Sequence, residues 1–472
     1  MQRYVRHRCT RRSLLAMTAS AALGVVALAA CGGTANQTAA TGTTATQSAT
    51  ATTARGSATG KVATSPVAGG GQSVQLTATN WSDVTVAALF DKLVRQFEQA
   101  HPAIKVTFTP TTGNYWTKML TQAAGGDAPD VFWMNAQNLG AWVARKQLLN
   151  LSPLASTDKY DFTDFWKAGL AAYTVDSKLR ALPSQVDNRG LFFNATMFTA
   201  AGATPPPVTY QDKQWNQQAF LATCQQVTKS GAGGQPTQYG CLAPNSFITY
   251  APWIWANGGH FMNPERTACT MTSAETVEVF QFLQDLIHKY QVAPGPNVLT
   301  TQSAATLFST GKVGMTTDTI SVITQYRKDA SHFTWDTGAV PAGTAGFANQ
   351  SSGPAWSVER QSKHPDQAWL LNSFLVSVDA EKLLAQGGAL LPSRISIAKQ
   401  VWEHPSGTPV HANIFLDGMN YVHPNPFVWN WSQIETMLIK ELSYVWDGTK
   451  TAHDVMQAIK PLMDQLLQQK PS

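Results

Sequence analysis

Tryptophan and its polar neighbours carry most of the chemistry this sequence could do. The chain has 15 Trp, 11 Tyr and 20 Phe in 472 residues, and the first Trp is Trp81. Several aromatics stand beside amides or carboxylates. Trp81 follows Asn80; Trp133, Asn135 and Gln137 close a short apolar run; Tyr250 and Trp253 precede Gly258-Gly259; Asp318 follows GKVGM (311–315). Indole and phenol faces offer flat apolar surface, while amides and carboxylates bond hydroxyl groups. This is the chemistry of holding a ligand. Sequence signatures of turnover are missing: HExxH, GxSxG, a P-loop and GxGxxG do not occur, nor does a DxDxDG calcium loop. The ten His show no ligand spacing. Neither a cofactor nor a metal is expected.

The elements that would position these residues alternate. SVQLTAT (73–79) alternates as a strand and runs into Asn80-Trp81. Val86, Leu89, Phe90, Leu93, Val94 and Phe97 follow helical spacing, which stops before His101-Pro102. Ile104–Phe108 alternates again, and Trp116–Ala124 is helical up to Gly125-Gly126. Val131–Met134 is continuously apolar, as a strand buried on both faces should be. This order implies an α/β fold with a parallel sheet. Further helices carry Val277 to Tyr290, Ile434 to Val445, and residues 453–467. The segment around Trp253 and Trp255 reads as either strand or helix. Trp142, Trp369 and Trp446 sit at helix-core spacing. Asp130, at a strand start, suits a role in bonding local amides.

Length predicts two or three domains. Charged residues are 13% of the chain, which excludes a charge-rich disordered protein and argues against a nucleic-acid partner. Only one apolar run approaches spanning length, so a polytopic membrane protein is excluded. The net charge of +5 is local to the N-terminus: five Arg lie in residues 1–30, and the other 29 Lys and Arg match the 29 acids. Residues 1–30 read as a secretory signal, with Arg11-Arg12 before an apolar run from Leu14 to Ala30. The ending Leu28-Ala29-Ala30-Cys31 resembles the bacterial lipobox, so Cys31 is expected to be lipidated. A single transmembrane anchor is the alternative. Export by the general or the twin-arginine route stays open. In residues 32–72, 32 of the 41 are Ala, Thr, Gly or Ser and none is aromatic, the composition of a flexible tether. Such a coil spans about 35 Å end to end. Three cysteines remain in the body. Cys224 sits on an apolar stripe with Phe220 and Val227, and Cys241–Cys269 is the expected disulfide.

Eight stretches in order then carry a resemblance. They are FEQAHPAIKV (97–106), GGDAPDVFW (125–133), GAWVARKQLLNLSPL (140–154), ALPSQVDNRGLFFN (181–194), PWIWANGG (252–259), SAETVEVFQFLQDL (273–286), FSTGKVGM (308–315) and GALLPSR (388–394). Behind a lipobox and a tether, the chain resembles the extracellular solute-binding proteins of ABC importers, in the family that includes maltose- and other sugar-binding proteins. The resemblance implies a two-lobed, periplasmic-binding-protein-like fold with ligand in the cleft and a hinge crossed about three times. The lobes would be 73–186 plus 345–394 and 187–344 plus 395–472, after a signal peptide (1–30) and a lipidated, tethered segment (31–72). It implies a carbohydrate ligand, with an oligosaccharide in view, and importer permease subunits as partners. The protein would be an exported monomer, lipid-anchored on the outer face of the cytoplasmic membrane.

A sugar has apolar C–H faces and a rim of hydroxyls, which suits the aromatic–amide pairs above. The resemblance adds Asp187, where the family often has a carboxylate at the lobe crossing. It adds Trp429 and Trp431, where sugar-binding relatives place a stacking aromatic. Gly353 would let backbone approach a ligand. Three alternatives remain. One is the same receptor role for a glycerophosphate or a peptide, with Arg189 and Arg394 the basic residues near the cleft. Another is a surface-anchored carbohydrate hydrolase using two carboxylates about 5–10 Å apart, with Asp187 and Asp318 as the pair. The last is a scaffold or adhesion lipoprotein.

Overall fold

The computed structural model describes residues 73–386, 391–403 and 407–471. The expected signal, Cys31 and tether lie outside the described residues, as does part of the GALLPSR stretch. The chain opens with β1 (Val74–Thr79), α1 (Val84–Ala100), β2 (Ile104–Phe108), α2 (Tyr115–Gly125), β3 (Val131–Met134) and α3 (Ala136–Ala144). Next come α4 (Lys167–Ala172), β4 (Ala181–Pro183), β5 (Gln185–Val186), β6 (Arg189–Asn194) and α5 (Gln217–Val227). The middle holds β7 (Lys229–Ser230), β8 (Pro236–Cys241), α6 (Phe247–Ala256), α7 (Ala274–His288), β9 (Val313–Thr319), α8 (Ile323–Asp329) and β10 (Trp335–Gly338). The last part holds β11 (Asn349–Gln350), β12 (Ala355–Val358), α9 (Pro365–Leu375), β13 (Leu391–Pro392), α10 (Ile414–Gly418), β14 (Val422–His423), α11 (Trp431–Trp446) and α12 (Ala452–Leu467).

Two five-stranded sheets result, with strand orders β2-β1-β3-β12-β4 and β10-β6-β9-β8-β7. In the first, β1 runs parallel to β2 and β3. Helix α1 forms where the sequence demands it: the Asp83 carboxylate accepts from the Val86 N–H at 2.9 Å and caps the helix. Its buried stripe is Ala87, Phe90, Leu93, Val94 and Phe97. Phe90 meets Trp133 and Trp356 edge-on at 5.5 and 5.3 Å. Strand β3 is buried on both faces, since Trp133 points into that core and Phe132 meets Trp142 of α3 on the other side. Asp130 accepts from the Thr77 N–H at 2.8 Å and the Thr77 hydroxyl at 2.9 Å, tying β1 to the start of β3.

In the second sheet β6 runs antiparallel to both neighbours, while β8 and β9 are parallel. Helix α5 lies so close to β8 that a Cβ on Gly240 would fall 2.1 Å from the Cys224 carbonyl oxygen, so only glycine fits there. The expected Cys241–Cys269 bond is corrected here. All three body cysteines are buried free thiols, and the thiol beside Cys241 is that of Cys224. Cys269 is instead fixed on α12, its N–H donating to Asp464 at 2.6 Å.

The chain leaves the first sheet after Pro183 and enters the second at Arg189. It returns between Gly338 and Ala355, and leaves again between Pro392 and Ile414, where Phe415 of α10 packs on Gly190 of β6. The passing segments pair with one another: β5 with β13, β11 with β14, and Asp187 with Ser352.

Candidate functional site

The passing segments collect a buried polar cluster. Asp187 and Ser352 exchange backbone hydrogen bonds of 2.7 and 2.9 Å. Arg189, two residues on and 1% exposed, binds these strands together. Its Nη2 donates to the Gln350 side-chain oxygen at 2.7 Å and to the Ser352 hydroxyl at 3.1 Å. Its Nε donates to the Ile248 carbonyl at the start of α6 at 3.2 Å, and its Nη1 lies 3.4 Å from Asp187 Oδ2. Asp187 Oδ1 is buried and has no partner among the described residues. Asp318 is the penultimate residue of β9, where it pairs with Gly190 of β6. Its carboxylate accepts from the Thr319 N–H at 2.8 Å and the Tyr326 hydroxyl at 3.2 Å.

These two carboxylates share one field. Burial pushes the Asp187 carboxyl above its ordinary range; the Arg189 cation opposes this and the Asp318 charge adds to it. Burial also raises Asp318, against the pull of the Thr319 N–H, Arg189 and the Tyr326 hydroxyl. A half-buried acid with one free oxygen beside a fixed guanidinium is built to accept hydrogen bonds from a hydroxylated ligand.

At the carboxyl ends of β1 and β3 stands an aromatic group. Trp81 meets Tyr115 at 5.0 Å and Trp133 at 4.9 Å, both edge-on, and Trp116 at 5.6 Å. The Tyr115 hydroxyl donates to the Trp133 carbonyl at 2.8 Å and fixes α2 to the strand end. Trp81 and Trp116 stay half-buried, with surface to offer. Asn80, fully buried, uses its oxygen on Ser82 while its Nδ2 has no partner among the described residues. Asn135 caps α3 by accepting from the Asn138 N–H at 3.0 Å, and Gln137 keeps a buried oxygen with no partner among the described residues. The Tyr173 hydroxyl sits between the carbonyls of Met134 and Gly353, joining the end of β3 to the crossing. Strand carboxyl ends at a crevice are where open α/β sheets bind ligands.

Several expected ligand residues are elsewhere. Trp431 is fully buried, 4.9 Å from both Phe247 and Phe427. The segment holding Tyr250 and Trp253 is the helix α6, buried nearly all round. Tyr250 therefore packs on Phe261 and Phe280, and Trp253 on Phe220 and Phe282. Trp133 is 4% exposed, wedged between Trp81, Phe90 and Trp356. Gly353 has φ +134°, and a Cβ there would lie 2.5 Å from the Gln185 carbonyl oxygen. Its smallness serves contact between passing strands rather than ligand approach. Trp429 is half-buried and donates to the Gln469 carbonyl at 3.3 Å. It lines a cavity of about 500 Å³ whose wall also holds Ala136, Gly140, Ser351 and Asn425, and Asn425 bonds the Gln350 side chain, so this cavity adjoins the polar cluster.

Of the residues from the sequence reading, Trp81, Asn135 and Gln137 thus stand at the strand ends of the first sheet, and Asp187 and Asp318 at the crossing. Arg189, named in the sequence reading as a basic residue near the cleft, joins the crossing group, and the structure adds Asn80, Trp116, Tyr326, Gln350 and Ser352. Arg189 had a signal, since a residue two on from Asp187 in extended chain points the same way. Gln350 and Ser352 had none, because their partners lie some 160 residues away in sequence.

Comparison with known proteins agrees with this architecture. Residues 92–408 match the family model described as bacterial extracellular solute-binding protein. A binding protein of Brucella abortus is 24% identical over 342 residues, 72% of this chain and 79% of the relative. Among solved structures, an ABC substrate-binding protein of Listeria monocytogenes in complex with cycloalternan superposes with a TM-score of 0.74 at 22% identity, covering 84% of this chain and 99% of that one. The GacH receptor of Streptomyces glaucescens, solved unliganded and with acarbose, gives 0.70 at 19% identity, over 84% and 99%. The two-sheet architecture is that of these two-lobed proteins. With the family model spanning residues 92–408, the chain belongs to the bacterial extracellular solute-binding proteins.

Proposed function

We propose that this protein is the receptor of an ABC importer, and that its ligand is a carbohydrate, specifically an oligosaccharide. The reading is carried by half-buried Trp81 and Trp116 at the strand ends of the first sheet, together with Asp187 at the crossing, whose Oδ1 has no hydrogen-bond partner among the described residues. Aromatic faces suit the apolar side of a pyranose, and the acids and amides suit its hydroxyls. Two solved neighbours are bound to cycloalternan and to acarbose, which supports the same ligand class here. The lobes are 73–186 plus 345–394 and 187–344 plus 395–472. Ligand touching both favours the closed form through its differential contacts. The closed monomer then docks on the permease subunits, and the protein itself turns nothing over. Leu28-Ala29-Ala30-Cys31 supports lipid anchoring of the mature chain through Cys31.

The test is thermal unfolding of the protein against oligosaccharides, monosaccharides, peptides and glycerophosphates. A ligand at 100 times its dissociation constant adds about 2.7 kcal/mol, which raises the midpoint measurably. A shift with oligosaccharides and no product after long incubation is the expected outcome. A shift with phosphates or peptides alone overturns the ligand class. Hydrolysis of the sugar would make Asp187 and Asp318 a catalytic pair.

A further inference from the structure

We propose that the cavity beside the polar cluster seats an apolar group carried by the ligand, an alkyl or aryl substituent on the sugar. The inference rests on the carbohydrate reading above and narrows it to an amphipathic glycoside. The cavity, about 500 Å³, lies between helices α3 and α4 and the segment 422–429. Leu139 and Val143 of α3, Ala172 of α4, and Val422, Phe427 and Trp429 opposite make its wall apolar. The two sides meet at Gly140, where a Cβ would fall 2.9 Å from the Val428 carbonyl oxygen, so glycine lets the helix lie against that loop. A cavity of this size holds a small organic ligand or part of one.

The two neighbouring regions differ in the polar atoms they leave open. At the strand ends and the crossing, Asn80 Nδ2, Gln137 Oε1 and Asp187 Oδ1 are buried with no partner among the described residues, which suits hydroxyls. No side-chain atom of the cavity wall stands so among the described residues. Asn425 accepts from Gln350 Nε2 at 3.0 Å and donates to the Ser351 carbonyl at 2.8 Å. The Trp429 indole N–H is spent on the Gln469 carbonyl, which leaves its rings for contact. Arg266 Nη1 donates to the Phe427 carbonyl at 3.0 Å, and Arg266 and Asp176, the charged residues of the wall, are exposed. A hydroxyl-rich group here would give up its bonds to water for few open partners. An apolar group gains by leaving water. Gln350 joins the two regions, because its oxygen accepts from Arg189 while its Nε2 donates to Asn425. A single side chain therefore separates the acid and guanidinium from the apolar cavity.

The experiment uses the full chain in two arms. In the first, anilinonaphthalene sulfonate alone is titrated into the wild type and into Ala172→Trp. Ala172 is half-buried, so the indole fills the cavity from its edge. Val143→Phe, which fills the same space from α3, is the second variant should the first not fold. The expected result is saturable dye fluorescence in the wild type, weakened at least about tenfold in the variant. In the second arm, calorimetry compares oligosaccharides with their hexyl glycosides below micelle-forming concentrations. The hexyl glycoside should bind at least about tenfold tighter than its parent sugar in the wild type, and no tighter in the variant. Equal affinity of parent and hexyl glycoside in the wild type overturns the proposal, as does dye binding that the variant leaves unchanged. Dye binding lost in the variant, with no sugar or glycoside bound by either protein, keeps the apolar site and overturns the carbohydrate reading alone.

Discussion

Asp187 has one carboxylate oxygen beside Arg189 and a second, Oδ1, buried without a hydrogen-bond partner among the described residues. Arg189 does not depend on it, since Gln350, Ser352 and the Ile248 carbonyl also hold the guanidinium. Asp187→Asn should therefore fold, yet lose a charged acceptor for a ligand hydroxyl. Such bonds are worth about 1.5–3 kcal/mol, so the dissociation constant should rise roughly 10- to 150-fold. Calorimetry reads this directly, and an unchanged constant would remove Asp187 from the site. Asp318 makes a different prediction. Its folded carboxyl is raised above the ordinary 3.8 by burial. A raised carboxyl stabilises the fold while protonated, below its unfolded value, and that contribution is lost as pH rises through the folded value. At neutral pH the ionised Asp318 is a net cost, which Asp318→Asn removes. The variant should match the wild type near pH 3.5 and unfold at higher temperature than it by pH 7. A gap that does not widen with pH would mean that ionised Asp318 is well compensated.

At the scale of elements, what a tryptophan does depends on the helix that carries it. Trp431 opens α11 and lies between Phe247 and Phe427 with no exposed surface. Trp431→Ala should empty that space at about 3–5 kcal/mol, lowering the thermal midpoint while leaving affinity nearly unchanged in whatever folds. Trp116 stands half-exposed on α2 beside Trp81. Trp116→Ala should do the reverse, keeping the midpoint within a degree or two and weakening sugar binding about tenfold. If Trp431→Ala alone weakened binding, the aromatic platform would be on α11. This contrast also marks what a reader of the sequence can see. Strands β1 to β3 and helices α1, α7, α11 and α12 were legible because periodicity and caps are local signals. The Cys224 reading was legible for the same reason, whereas Asp130 bonds Thr77 and Ser362, which are distant in the chain, rather than local amides. The burial of Tyr250, Trp253 and Trp431 was not, because an aromatic side chain looks alike whether its partner is a sugar or another ring. That choice is made by elements distant in the chain: Phe280 on α7 for Tyr250, and Phe247 on α6 for Trp431.

For the whole molecule, the connections between the sheets decide how it can move. They are thin: β5 pairs with β13, and β11 with β14, over two residues each, and Asp187 meets Ser352 as an isolated bridge. Pairs this short can twist without breaking either five-stranded sheet, which is how a hinge differs from a core. Yet Arg189 ties two of these connections, the Asp187–Ser352 bridge and Gln350 of β11, to α6, so the cluster that would hold the ligand would also set the hinge. A ligand seated between Trp81 on one sheet and Asp187 and Asp318 at the other must draw the two together if it touches both. It can shift the open–closed balance only by its differential affinity for the closed form. Small-angle scattering should then show a smaller radius of gyration at saturating oligosaccharide. In Asp187→Asn the same contraction should require proportionally more sugar, because the lost contact spans the cleft. If the radius stayed constant while calorimetry showed saturation, the sugar would be held by one lobe alone, and closure would have no part in capture.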